Sequence, residues 1–203
     1  MSLTILIPIK NETEIIENTL LVLENSWLKE IDHEIIFLDD YSEDDTFQKI
    51  KNYTKKSLNI KIVKNIKKGL GSAIHEGVKN SSKNFFTIFM SDLSDSLDDL
   101  KKYYDTIKDE SLDSVFGSRF IEGSNVINYP TKKLILNRIA NNIIRFLFLT
   151  NYNDFTNAFK IYKTSTLKSL FPFVSESFNI FLELPLKIIS RKYSYKIIPI
   201  SWT

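Results

Sequence analysis

The chain has 203 residues, enough for one substantial core, and no Pro-, Gly- or Ser-rich linker divides it, so a single domain is expected. A formal charge of +2 argues against a dedicated nucleic-acid binder, and lysines scattered among acids and Asn read as a solvated surface. Cysteine is absent, which excludes a disulfide framework and thiolate zinc sites and fits a reducing compartment.

Leu3 to Ile9 is a continuous apolar run with β-branched residues, the pattern of a strand buried on both faces, and Pro8 marks its end. This opening run is too short for a signal-peptide core or a membrane span, so a cytoplasmic location is expected. After the polar turn Lys10-Asn11-Glu12-Thr13, apolar residues recur at helical spacing through Leu23. His33 to Leu38 reads as a second buried strand ending in Asp39-Asp40-Tyr41-Ser42, Thr46 to Tyr53 as a helix and Ile60 to Val63 as a third strand. Gly69-Leu70-Gly71 then opens a helix, and such a pair serves a tight turn or close backbone approach to a ligand. Phe85 to Met90 is a fourth strand and Leu97 to Ile107 its helix. Strand and helix alternate with short loops, the signature of an α/β protein with a mostly parallel sheet covered on both faces.

Beyond Asp113 the rhythm changes. Ser114 to Phe116 is a short strand leading into Gly117-Ser118-Arg119, and a Gly/Asn/Pro loop follows from Gly123 to Pro130. Leu134 to Leu149 is a strongly apolar helix punctuated by Arg138 and Arg145, with most of its residues expected in the core, or else lying against a membrane surface. Phe159 to Tyr162 reads as a strand, Phe178 to Ser190 as a helix and Tyr195 to Ile200 as a last strand.

Three strand ends present polar groups: Asn11 and Glu12, then Asp39 and Asp40, then Asp92 and Asp95. In a parallel sheet those ends lie side by side, so the acidic termini are expected to converge on one crevice. Crowded carboxylates repel unless they are solvated, offset by helix N-termini or neutralised by a divalent cation. A plainer reading has Asp92 or Ser94 capping the next helix and Asp39-Asp40 closing an Asx turn. On the functional reading, one of Asp39 and Asp40 accepts hydrogen bonds from a base or ribose while the other anchors the loop. The segment Gly69 to Ala73 lacks the Lys-Ser/Thr of a Walker loop and the third glycine of the dinucleotide fingerprint, so neither name applies.

Pro8-Ile9-Lys10-Asn11-Glu12 resembles the P-x-x-N-E opening of the family 2 glycosyltransferases, and Asp39 to Thr46 resembles their D-D-x-S-x-D-x-T. Gly69-Leu70-Gly71-Ser72-Ala73 with Gly77, Gly117-Ser118-Arg119-Phe120 and Asp154 to Lys160 match further motifs of that family in the same order. The resemblance covers essentially the whole chain and is closest to the polyprenyl-phosphate branch typified by dolichol-phosphate mannosyltransferase. One departure stands out. The family's metal motif is usually D-x-D, and Met90 falls where the first aspartate belongs, a poor ligand for Mg²⁺ or Mn²⁺.

The resemblance implies a GT-A fold, a Rossmann-like three-layer sandwich, with a nucleotide-sugar half over about residues 1–112, an acceptor half over about 113–203, and a C-terminal extension lacking. It implies an inverting enzyme that moves a sugar from a UDP- or GDP-linked donor to a polyprenyl or dolichyl phosphate. Transfer to a saccharide hydroxyl and a non-catalytic nucleotide-sugar-binding module are the alternatives. Pro8, Asn11, Glu12, Asp39, Asp40, Gly69, Gly71 and Ser91 would meet the donor nucleotide, and Asp92 with Asp95 would hold a divalent cation, Mg²⁺ or Mn²⁺. Arg119, Lys132 or Lys133, and Arg138 would bind the acceptor phosphate. Asp92, Arg119 and Asp154 would carry the catalytic roles, Asp154 as base if the acceptor bears a hydroxyl. The partners implied are a nucleotide-sugar and a lipid-phosphate or saccharide acceptor, with peripheral contact at the cytoplasmic face of a membrane admitted and nucleic acid not.

Overall fold

The computed structural model describes residues 1–53, 58–127 and 129–202, and the side chain of Lys133 lies outside the described residues. The opening apolar run forms β1 (Leu3–Ile9), and every residue in it is buried. β2 (His33–Asp39) and β4 (Phe85–Ile88) lie parallel to β1 on its two sides, and β3 (Ile60–Lys64) continues outward from β2. The sheet is completed by β5 (Ser114–Ser118), β7 (Lys160–Lys163) and β8 (Tyr195–Pro199), in the order β3-β2-β1-β4-β7-β5-β8. All neighbours are parallel except β7, which runs antiparallel to both β4 and β5. β6 (Asn125–Val126) and β9 (Ser201–Trp202) pair in a second, two-stranded sheet.

Alternation along the strands sends side chains to two cores, one on each face. On one face Leu3, Ile5, Ile7 and Ile9 of β1 pack with α1 (Ile16–Glu24), α2 (Thr46–Asn52) and α4 (Leu97–Asp109). On the other, Leu6 joins Ile36 and Leu38 under α3 (Leu70–Asn80), α6 (Thr164–Ser169) and α7 (Ile180–Ser190). The result is the three-layer sandwich that the alternating pattern implies.

The expectation that fails is the burial of the apolar helix. It is α5 (Thr131–Leu147), and Ile135, Leu136, Ile139, Ile143, Phe146 and Leu147 along it are all exposed. Both faces of the sheet are already covered by other helices, so α5 finds no core to enter. It is held through Asn141, whose side-chain oxygen accepts the Phe155 N–H at 2.6 Å, and through partly buried Ile144. Three further departures are smaller: β7 is antiparallel, α6 follows it directly, and β6 lies inside the segment expected to be loop.

Glu34 is a buried anion at the lower end of the sheet. It accepts from the Thr4 hydroxyl at 2.7 Å, from the Ser82 N–H and hydroxyl at 2.6 and 2.9 Å, and from Lys61 Nζ at 2.6 Å. Burial alone would raise its pKa, but the Lys61, Thr4 and Ser82 bonds outweigh it and hold the carboxyl down at about 2. A depressed carboxyl stabilises the fold above its ordinary range, and that contribution, roughly 3 kcal/mol at pH 7, is lost as pH falls from about 5 toward 2. Glu34→Gln is expected to remove this acid-dependent component. Urea unfolding at pH 7 and pH 3 checks it, and an unchanged difference between the two pH values in the variant would contradict the assignment.

Candidate active site

The site forms where β1, β2 and β4 end side by side. The turn after β1 is stitched to the turn after β2 by the side chains of the second acidic motif. Asn11, at φ 55°, donates its N–H to Ser42 Oγ at 3.1 Å, and its side-chain oxygen accepts the Glu43 N–H at 2.8 Å. The Glu12 N–H bonds Thr46 Oγ1 at 2.8 Å and the Thr13 N–H bonds Asp44 Oδ2 at 3.1 Å, while Asp44 Oδ1 takes the Thr46 N–H and hydroxyl. Asn11 therefore spends its side-chain oxygen on scaffold, not on a ligand. Ser42, Asp44 and Thr46 were absent from the expected site residues, although their spacing after Asp39 was the available signal.

The paired aspartates divide their work. Asp40 accepts the Gly69 N–H at 2.9 and 3.2 Å and Asn65 Nδ2 at 2.7 Å, so it anchors the glycine turn. Asp39 accepts the Ser42 N–H at 3.2 Å and opens into a hollow of about 310 Å³ beside Tyr41, Lys64 and Asn65. The strand tips thus face two adjoining hollows instead of one crevice.

The glycine pair makes the tight turn expected of it, and its close approach is to the chain itself. Gly69, at φ +130°, and Gly71 face the chain's own segment 175–176: a Cβ on Gly71 would lie 2.1 Å from the Ser175 carbonyl oxygen, and the Gly71 N–H donates to Glu176 O at 3.0 Å. Close approach is to backbone, and the donor-contact role expected of these two glycines is corrected accordingly. Gly71→Ala is expected to destabilise the fold by about 2 kcal/mol through overpacking, read by urea unfolding. Unchanged stability would mean that segment 175–176 moves aside freely.

A second pocket, of about 270 Å³, is lined by Pro8, Glu12, Asp40, Leu70, Met90 and Phe178 among others. Burial raises the Glu12 carboxyl above its usual range, a Ser91 hydrogen bond opposes that, and the charges of Asp92 and Asp44 add to it. Asp92 is exposed, and its Oδ1 accepts the Ser94 N–H at 3.0 Å. Asp95 is buried, its main chain bridges to Trp202, and burial together with the Asp92 charge pushes its carboxyl up to about 7 against the pull of Arg119 and Lys160. Asp92 and Asp95 are hard oxygen donors of the kind a divalent cation takes, and substrate phosphates would complete its shell. Among the described residues no cluster of three or more His, Cys, Asp or Glu side chains stands ready to hold a metal alone. Met90 contributes a thioether to the pocket wall and no ligand oxygen.

In the later half of the chain, Arg119 and Asp154 are committed to each other. Arg119 Nε and Nη2 donate to Asp154 Oδ2 and Oδ1 at 2.9 and 2.7 Å, the Arg119 N–H adds a third bond at 2.9 Å, and the side chains are 7% and 0% exposed. Burial disfavours the Arg119 charge, yet the Asp154 carboxylate holds its pKa above the ordinary value. With both oxygens taken and no exposure, Asp154 is not placed to accept a proton from an acceptor hydroxyl, and Arg119 is not a free phosphate clamp. Arg138 instead lies over the Phe120 ring at 4.7 Å, the same ring that Arg119 approaches at 5.4 Å, and Lys132 is exposed on the first turn of α5. Lys160 is fully buried, donates to the Phe155 and Asn157 carbonyls, and is lowered to about 7 by burial. That buried cation was not among the expected site residues.

The chain thus combines a seven-stranded sheet with one reversed strand and acidic residues beyond the ends of β1, β2 and β4, where ligands gather in open α/β sheets. The family model for Glycosyl transferase family 2 matches residues 4–171, and the chain belongs to that family. It is 31% identical over 141 residues to a dolichol-phosphate mannosyltransferase of Pyrococcus furiosus, covering 69% of this chain and 39% of that protein. It is 27% identical over 142 residues to a polyprenol monophosphomannose synthase of Mycolicibacterium smegmatis, covering 68% of this chain and 53% of that one. The chain thus spans about half the length, or less, of these curated relatives. In fold it is similar to S. aureus TarS 1-349, with a TM-score of 0.71 at 18% identity over 100% of this chain and 60% of that one. It is likewise similar to a Mycobacterium tuberculosis glucosyl-3-phosphoglycerate synthase in complex with Mn²⁺, UDP and glucosyl-3-phosphoglycerate, with a TM-score of 0.72 at 16% identity over 99% and 70% of the chains.

Proposed function

We propose that this domain transfers a sugar, with inversion, from a UDP- or GDP-linked donor to a polyprenyl phosphate. The observation that carries the acceptor class is α5. Its exposed apolar face runs beside Lys132, Arg138 and Arg145, and no acidic residue occurs from Thr131 to Leu149. Among the described residues no helix is long and apolar enough to cross a membrane. A basic, apolar-faced helix of this kind lies in a bilayer interface, where a polyprenyl tail resides. From there two contact paths lead to the strand tips: Arg138 over Phe120 toward Arg119, and Asn137 through Tyr129 and Trp202 to Asp95.

A lipid phosphate is already anionic at pH 7, so attack on the anomeric carbon needs no base, in keeping with Asp154 being bound to Arg119. Arg138 and Lys132 receive the acceptor phosphate, and the Arg119–Asp154 pair fixes the Phe120 ring against which Arg138 lies. Asp39, in its own hollow, takes the nucleoside end of the donor, with Glu12, Ser91 and Pro8 at the strand tips beside it. Asp92 and Asp95 are the residues that would hold a divalent cation, Mg²⁺ or Mn²⁺, whose chemistry is neutralisation of charge on the leaving diphosphate. The names of the two relatives support the acceptor class, and the complex with Mn²⁺ and UDP in a fold neighbour supports donor and cation.

The test is a transfer assay with labelled UDP- and GDP-sugars and a short polyprenyl phosphate, with and without EDTA. Label extracted into organic solvent, and lost with EDTA, is the expected result. Label confined to a water-soluble saccharide would favour the hydroxyl acceptor. Tight nucleotide binding without turnover would favour a binding module, the alternative to which Met90 lends weight.

A further inference from the structure

Segment 171–179 leaves α6 and crosses the first turn of α3 before α7 begins. Lys187 of α7 donates to the Leu170 and Pro172 carbonyls at 3.2 and 2.5 Å, and the Glu183 carboxylate accepts the Val174 and Ser175 N–H groups, the latter at 2.7 Å. The same carboxylate pairs with Lys187 at 2.6 Å, one turn along α7. On the other edge the Glu176 carbonyl takes the Gly71 N–H, Lys67 pairs with the Glu176 carboxylate, and the rings of Phe171 and Phe173 lie on His75 at 4.7 and 5.8 Å. Both glycines of the turn lack room for a Cβ against this segment.

The stitching ends at Phe178, which stands at the rim of the 270 Å³ pocket with its side chain in water, 69% exposed. Its ring meets Phe181 edge-on at 6.1 Å, and the rest of the side chain is left free at the pocket. The pocket it borders is amphipathic, lined by Glu12 and Asp40 as well as by Leu70 and Met90. A donor whose ribose sits at Asp39 and whose base reaches into this neighbouring pocket would present a planar apolar face to a ring and a thioether.

We propose that Phe178 contacts the nucleoside-diphosphate donor directly, forming with Leu70 and Met90 the apolar wall of its pocket, and that Glu183 is the positioning residue that sets Phe178 there. On this account Met90 is part of a donor-binding wall whose chemistry is contact instead of coordination. The inference rests on the donor reading above.

The experiment is calorimetric titration of UDP and of GDP, each with MnCl₂, into the wild-type chain and four variants. Phe178→Ala is expected to weaken binding about tenfold, the order of one aromatic stacking contact, with an unchanged melting temperature. Phe178→Tyr keeps the ring and restores binding; Val174→Ala, an exposed change in the same segment, leaves it alone. Glu183→Gln weakens binding by less than Phe178→Ala. Equal affinity of Phe178→Ala and wild type would overturn the inference, and a Glu183→Gln variant that binds as wild type would overturn the positioning role alone. If the wild type binds neither nucleotide, the donor reading itself falls, a result distinct from the failure of Phe178.

Discussion

Asp92→Asn is expected to lower sugar transfer by roughly a hundredfold or more while leaving the melting temperature unchanged. The side chain is exposed, and the hydrogen bond it accepts from the Ser94 N–H is one that an amide oxygen also accepts, so the fold has little to lose. The site loses its charge. Asp92 is the exposed carboxylate at the tip of β4, it bears on both Glu12 and Asp95, and it is the group best placed to hold a cation against a leaving diphosphate. The same substitution has a second consequence. Burial and the Asp92 charge together hold the Asp95 carboxyl up near 7, so removing the charge lets it fall back toward the ordinary carboxylate range. Steady-state transfer assays with thermal melts decide the matter, and full turnover in Asp92→Asn would remove the cation site from β4.

The second large effect concerns stability. Removing either partner of the Arg119–Asp154 pair is expected to cost about 3–5 kcal/mol, because each leaves the other buried without its counter-charge. Asp154 is fully buried, pairs with Arg119, and its charge also favours the protonated form of the interior Lys160. Asp154→Ala therefore strands both, and it also frees the Arg119 N–H from its acceptor. The double variant Arg119→Met/Asp154→Leu, which removes both charges and keeps volume, is expected to recover much of the loss. A double-mutant cycle by urea unfolding measures this coupling. Singles as stable as the wild type, with a raised acceptor KM in Arg119→Ala, would return Arg119 to the role of phosphate ligand.

Much of the architecture was legible because buried parallel strands read as unbroken apolar runs. Leu3 to Ile9 and His33 to Leu38 are such runs, and their polar ends stand where the sheet places the site. What escaped was decided by the competition of elements for a fixed sheet area. α5 is apolar enough for a core, but six other helices had already filled both faces, and no local pattern in its own residues reports that. The reversal of β7 escaped for a related reason, since a four-residue strand carries no mark of its direction.

Within the site, residue types were legible and their allegiances were not. Asp39-Asp40 announced two carboxylates, but only the 2.9 Å bond from the Gly69 N–H identifies Asp40 as the anchor. Gly69 and Gly71 announced a close approach without saying to what, and the partner is backbone more than a hundred residues later in the chain. Arg119 and Asp154, each a sensible catalytic candidate alone, satisfy each other across 35 positions of sequence. Phe178 looked like the start of a helix, and its place at the pocket rim follows from hydrogen bonds made by Glu183 and Gly71.

Crystals of the chain grown with MnCl₂ and a nucleoside diphosphate, measured at the manganese absorption edge, test most directly whether the tips of β1, β2 and β4 form a donor site. The account predicts an anomalous peak about 2 Å from an Asp92 oxygen, with the diphosphate on the metal and the nucleoside running toward Asp39. A metal and nucleotide bound elsewhere, with Asp92 turned to solvent, would contradict it.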